Sequence, residues 1–178
     1  MGLNTYRDRL CVVQISNGDG TAEVIQLDDE TPPERLIDML AKPRIQKIFH
    51  FGRFDISMIM ANLGITLENV YCTKIASKLA RTYTDRHGLK ELCRELLDVD
   101  LSKAQQSSDW GRDTLSDAQL NYAAQDVLHL HKLRDKLNVI LKREQRMELA
   151  ERCFDFLPTR SYLDTCGYEQ MDIFSHGS

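Results

Sequence analysis

Two aspartates stand in surroundings that suit chemistry. Asp55 follows Ile48-Phe49-His50-Phe51-Gly52-Arg53-Phe54, where an apolar strand gives way to a helix. A carboxylate at a strand end is fixed by the rigid sheet and left open by the loop, which is what a catalytic or metal-ligating acid needs. Asp126 lies four residues after Tyr122 in Tyr122-Ala123-Ala124-Gln125-Asp126. That spacing sets phenol and carboxylate on one helix face, and the alanines keep the face low enough for another element or a ligand to approach. Each feature also has an ordinary reading: an Asp near a helix start is often a cap, and a Tyr/Asp pair is often a half-buried ring beside a solvated acid.

Basic residues cluster between 71 and 94. Lys74, Lys78 and Arg81 fall on one helical face, and Arg86, Lys90 and Arg94 follow. Six basic residues against Asp85 and Glu91 give this stretch a charge of +4. It reads as a phosphate-contacting face that uses Lys78 and Arg81, as an assembly surface, or as a solvated helix face. His50 either touches substrate, with Phe51 beside it, or orients the strand end as a half-buried histidine. His129 and His131 are two apart on a helix, point to different sides and make a poor metal pair. His87-Gly88 looks like a helix-start loop. Trp110, the only tryptophan, reads as a core anchor or a base-stacking ring.

The elements that must position these residues are legible. Leu10 to Ser16 reads as a strand, Asn17-Gly18-Asp19-Gly20 as a turn, and Ala22 to Leu27 as the return strand of a hairpin. Thr31-Pro32-Pro33-Glu34 opens a helix with Thr31 ahead of prolines in its first turn, and Leu36, Ile37, Met39 and Leu40 make its buried face. Lys47 to Phe51 is a short strand, and a helix from about Arg53 to Leu63 stops at Gly64. Helical pattern then dominates: Thr73 to Thr82, Leu89 to Leu97, and a long stretch opened by the Ser116-x-x-Gln119 capping box. It continues past Leu141 toward Phe156 and is expected to stop at Pro158. Early strands and later helices place the chain in the α/β or α+β class.

With 178 residues the chain suits one domain over its whole length, 1–178, and its 42% hydrophobic and 28% charged residues are ordinary for a globular protein. No apolar run reaches the ~20 residues of a membrane span, and no signal peptide is visible. Cys11, Cys72, Cys93, Cys153 and Cys166 are odd in number and scattered, which argues against disulfide scaffolding and structural zinc and for a reduced cytoplasmic setting. A net charge of −4 argues against a protein that coats long duplexes. A short oligonucleotide remains open to it, held by a few local cations or by bound metal.

Taken together, His50…Phe54-Asp55 and Tyr122-x-x-x-Asp126 resemble the second and third exonuclease motifs of the DEDD superfamily, in the tyrosine branch of ribonuclease D. Lys74-Ile75-Ala76-Ser77-Lys78-Leu79, Tyr83-Thr84-Asp85-Arg86-His87-Gly88-Leu89-Lys90 and Gln106-Ser107-Ser108-Asp109-Trp110 look like the compact bacterial subgroup called nano-RNase C. The resemblance implies an α/β, ribonuclease-H-like mixed sheet flanked by helices. It also implies a 3′→5′ exoribonuclease that takes short single-stranded RNA, dinucleotides included, to nucleoside 5′-monophosphates. The expected assembly is a ring-shaped homo-oligomer, an octamer. Two Mg²⁺ or Mn²⁺ ions roughly 4 Å apart would serve the reaction. By the same resemblance Asp55 binds one metal, Asp126 the other, and Tyr122 orients the attacking water.

The superfamily's first motif, Asp-x-Glu on the first and central strand, should lie just before Gly2-Leu3, and it does not occur in these residues. Asp28-Asp29-Glu30 has the pattern but sits in a polar loop with no buried strand behind it. The expectation is therefore a sheet lacking its first central strand, and a start placed late in a longer natural protein. The alternative is a shortened relative that binds nucleotides or assembles without catalysis. Leu3 would follow the missing motif, where the superfamily carries a hydrophobic wedge between terminal bases, so the resemblance makes it a substrate contact.

Overall fold

A computed structural model describes residues 8–28, 31–101, 109–112 and 114–176. The hairpin forms as its turn residues predict: β1 (Val12–Ile15) pairs antiparallel with β2 (Glu23–Gln26), Val12 opposite Gln26 and Ile15 opposite Glu23. Inside the turn Asp19 accepts bonds from the backbone and hydroxyl of Thr21, at 2.8 and 2.7 Å. Helix α1 (Glu34–Ala41) starts after Pro33 without a side-chain cap, so the prolines, not Thr31, set its entry. It buries Leu36 and Leu40. Strand β3 (Lys47–Phe49) pairs in parallel with β4 (Val70–Cys72), Ile48 opposite Tyr71. Between them lies α2 (Gly52–Leu63), ended at Gly64 in the left-handed conformation that a helix stop favours.

The second half is helical: α3 (Thr73–Ala80), α4 (Leu89–Leu97), α5 (Asp117–Leu128), α6 (Leu130–Arg143) and α7 (Met147–Thr165). Leu133, Leu137 and Leu141 recur every four residues on α6 and are fully buried, on a helix that packs against α3, α4 and β3. Helix α7 runs straight through Pro158, against the expected stop. Proline removes only one helical bond, the one owed to the carbonyl of Phe154. The turn beyond it is held from outside: Ser161 donates to the carbonyl of Arg53 at 3.0 Å, and Asp164 pairs with Arg53. No helix of the described residues is long and apolar enough to cross a membrane.

The α/β class is as expected, and the sheet is split. Strand β1 pairs only with β2 and β3 only with β4; no strand of the described residues joins the two pairs. Between them lies a cleft of about 1340 Å³, lined without interruption by residues 8–17 on one side and 45–51 on the other. Successive strand residues point to opposite faces, so an unbroken run along one cavity means that the cavity follows the strands' backbone edges.

The corner from β3 into α2 is tight. Phe51 has φ 63°, a left-handed conformation that is costly for a bulky residue. A Cβ on Gly52 would come within 2.7 Å of the Phe49 Cβ. Gly52→Ala is expected to destabilise the protein by about 1–3 kcal/mol, the usual cost of overpacking, as read by urea denaturation.

Candidate active site

The corner just described points Asp55 into the cleft from the first turn of α2. Its mooring lies behind it. The carbonyl of Arg53 accepts from the hydroxyls of Ser57 (2.9 Å) and Ser161 (3.0 Å), and the Arg53 guanidinium grips Asp164 (2.5 and 2.7 Å). The Ser161 hydroxyl and the ion pair thus pin the start of α2 to the end of α7, while Ser57 closes on the same carbonyl from within α2.

Tyr122 and Asp126 reach the cleft from α5, across from Asp55. Helix α5 begins at the predicted box: Ser116 accepts from the Gln119 backbone, and the Gln119 side chain accepts from the Ser116 backbone at 3.0 Å. The buried Gln119 amide also donates to the carbonyl of Asp109 at 2.8 Å. That bond brings the 109–112 segment against the helix, where the ring of Trp110 lies 6.1 Å from the ring of Tyr122. Trp110 thus lines the cleft beside the phenol instead of anchoring the core. Ala123 is buried, so α5 does approach its neighbours closely, against β1 and β2.

Electrostatics tie the three groups together. Asp55 remains accessible to water at the cleft wall, yet protein surrounds it on most sides. This desolvation, then the charge of Asp126, pushes its carboxyl up to about 7. Burial pushes Asp126 to about 6. The Tyr122 phenol is raised by burial and then by Asp126. Among the described residues no cation pairs with either carboxylate, and the Asp55 carboxyl is held only by the backbone N–H of its own residue. Two facing acids with no protein cation between them fit a divalent metal, with Asp55 and Asp126 as its oxygen donors. The set is small: among the described residues no group of three or more His, Cys, Asp or Glu could hold a metal.

The remaining candidates divide. His50 and Phe51 line the same cleft. Leu3 lies outside the described residues, as do Asp29 and Glu30. Arg81 does not face substrate: it is fully buried, bound to Glu95, the Ser77 hydroxyl and the carbonyl of Arg86. Its charge is consumed by that partner, which the basic run concealed. Lys78 is exposed but does not line the cleft. Lys74 and Lys90 do line it, Lys74 with its ammonium 4.1 Å from the centre of the Phe51 ring. They belong to the same basic stretch, and the sequence held no signal to rank them above Lys78 and Arg81. His129 and His131 are both lowered, chiefly by burial, and belong to no group of three or more metal-ligating side chains among the described residues.

Residues 1–142 match the family described as 3′-5′ exonuclease, and the chain belongs to that family. Ribonuclease D of Granulibacter bethesdensis is 34% identical over 143 residues, 80% of this chain and 36% of that protein. The chain thus spans about a third of the length of such curated relatives. Among solved structures, NrnC of Brucella melitensis matches with a TM-score of 0.96 at 58% identity, over 99% of this chain and 86% of that one. NrnC is also known with bound Mg²⁺ and bound to pGG. Escherichia coli RNase D, 23% identical over 85% of this chain and 40% of that one, shares the fold with a TM-score of 0.77. The resemblance to ribonuclease D-like, NrnC-like members of the DEDD superfamily, with their ribonuclease-H-like fold, is borne out.

The acid pair has a stability signature in metal-free protein. Asp55 rises from 3.8 to about 7 and Asp126 from 3.8 to about 6, so the folded state holds protons that the unfolded state has lost. Stability is then greatest below pH 4 with respect to these groups and falls as pH rises through the two values. Asp55→Asn is expected to flatten that fall and to raise the melting temperature at pH 8 in EDTA. Thermal melts across pH for both proteins give the comparison.

Proposed function

We propose that this protein is a two-metal 3′→5′ exoribonuclease that degrades very short RNA, dinucleotides included, to nucleoside 5′-monophosphates. In this reading residues 1–178 form one exonuclease domain, working in the cytoplasm as a ring-shaped homo-oligomer. The observation that carries the reading is the convergence of Asp55, Asp126 and Tyr122 on one cleft, with the charge of Asp126 felt by both of the others. NrnC with bound Mg²⁺ and with pGG supports the cofactor and the substrate class; Mn²⁺ is the second cation proposed. Exposed apolar side chains on and after α7, with Tyr162 at 57% and Phe174 at 67%, support self-association.

Divalent ions, when bound, would activate the attacking water and neutralise charge at the phosphorus. Asp55 and Asp126 would hold them. Tyr122, with its phenol raised above its ordinary value, keeps its proton at neutral pH and acts by hydrogen bonding to the water, not by accepting its proton. Phe51, half exposed and backed by the Lys74 ammonium, offers a face on which a terminal base stacks. Lys74 and Lys90 supply local positive charge for a phosphate. Leu3 remains part of the proposed substrate contact.

The second reading, a relative that binds nucleotides or assembles without turnover, is favoured by one observation: among the described residues no group of three or more acids, histidines or cysteines could hold a metal. The family's Asp-x-Glu strand would run between β1 and β3, whose edges border the cleft. Extending the chain upstream by that strand separates the readings. The extended protein is expected to release nucleoside 5′-monophosphates from labelled dinucleotides in Mn²⁺. Asp126→Asn should lower kcat by more than about 100-fold, the upper end of what losing a group behind a metal ligand costs. Tyr122→Phe should lower kcat with little change in KM. Intact dinucleotides at every metal concentration would leave the non-catalytic reading standing.

A further inference from the structure

His50 sits at the end of β3 and lines the cleft beside Phe51 and Asp55. Its Nδ1 lies 2.9 Å from the Thr73 hydroxyl, which itself lies 3.1 Å from the carbonyl oxygen of Phe49. A carbonyl oxygen only accepts, and with the single Thr73 hydroxyl proton directed at Phe49 that contact is a hydrogen bond. The hydroxyl then has only lone pairs to offer His50, and Nδ1 must carry the imidazole proton. Thr73 is fully buried, and no water competes for that proton. Burial, then the Lys74 charge, lowers His50 to about 4 against a smaller upward pull from Glu91, so the ring is neutral at physiological pH.

A neutral ring with its proton on Nδ1 bears a lone pair on Nε2. Among the described residues the one buried side-chain nitrogen or oxygen without a partner is Nδ1 of His131. Nε2 of His50 bonds to no described residue, so it is open to solvent in the cleft. A lone pair there attracts an O–H or N–H and repels phosphate oxygens.

Resting on the exonuclease reading, we infer that His50 is a specificity-determining acceptor: held by Thr73, its Nε2 takes a hydrogen bond from a neutral donor of the terminal nucleotide. The donor is a sugar hydroxyl or a base N–H. The phosphate is thereby left to the acids' metals and to Lys74. His50 thus sorts the two ends of a nucleotide by the hydrogen-bonding sense of what each presents.

Two measurements test this on the full chain. Nitrogen-15 spectra of histidine-labelled protein should show His50 protonated at Nδ1 and bare at Nε2. Thr73→Ser should keep that state, and Thr73→Val should mix the two tautomers. A ring protonated at Nε2 in the wild type overturns the inference without touching the nuclease reading. Binding is then measured for pGG and for analogues that are 2′-deoxy, 3′-deoxy or N1-methylated at the terminal guanosine, with Ca²⁺ in place of the catalytic ions. Removing the recognised donor should weaken wild-type binding about fivefold, the worth of one neutral hydrogen bond, and leave His50→Leu unaffected. The analogue that couples to His50 identifies sugar or base as the source. Binding of pGG with no coupling in any analogue overturns the inference alone, and failure of every nucleotide to bind overturns the nuclease reading with it.

Discussion

The site exists because the fold brings two carboxylates to one cleft, close enough for the charge of Asp126 to act on Asp55. Burial raises both acids, and the charge of Asp126 raises Asp55 further; desolvation first and this repulsion second make up the unfavourable free energy of holding Asp55 charged in metal-free protein. Two scaffolds resist that repulsion. On one side, Ser57 and Ser161 close on the Arg53 carbonyl, and Asp164 accepts from both Arg53 and Arg160. Burial alone would raise Asp164, but those two guanidinium groups hold it below the usual carboxylate range. On the other side, the capping box and the buried Gln119 amide stop α5 from fraying at its start. A cation between the acids would turn the repulsion into attraction, and an ion pair with the protein would have removed the need for one.

The split sheet follows from the same geometry. Strand β4 is buried throughout, while every residue of β1 is only half buried. In a complete mixed sheet a strand with a neighbour on each side would show the opposite. Among the described residues β1 and β3 each pair with a strand on one edge only, and both strands line the cavity that Asp55 and Asp126 enter. Open edges are the natural acceptors of another extended segment.

Much of this was legible before any coordinates, because the signals were local. The hairpin turn, the glycine stop of α2 and the Ser116/Gln119 box each depend on a few adjacent residues, and each formed. The convergence of Asp55 with Asp126 is not a local property; it was read from the spacing of two motifs that resemble a known family. Pro158 misled because local helix chemistry was overruled by Ser161 and Asp164, whose partner lies more than a hundred positions earlier. Arg81 misled for a related reason. Helical spacing set it in line with Lys74 and Lys78, but Glu95, on the next helix, took its charge inside. Spacing along a helix gives direction; it does not say which charge has an internal partner.

Much of the positive charge in the 71–94 stretch does not reach the cleft, and this bears on what the cleft can hold. Arg81 is neutralised by Glu95, and Lys78 lies outside the cleft's wall. Lys74 and Lys90 line it, with Glu91 and the two aspartates nearby. A long nucleic acid needs many phosphate contacts to bind in salt, and a net charge of −4 argues against a protein that supplies them. A substrate of one or two phosphates needs only the local balance. In the proposed reading the acids would hold metal for the reacting phosphate, Lys74 and Phe51 would meet the flanking charge and base face, and the uncharged His50 a group that carries no charge at all. The acidic composition that excludes one class of nucleic acid is therefore the setting in which the proposed class fits.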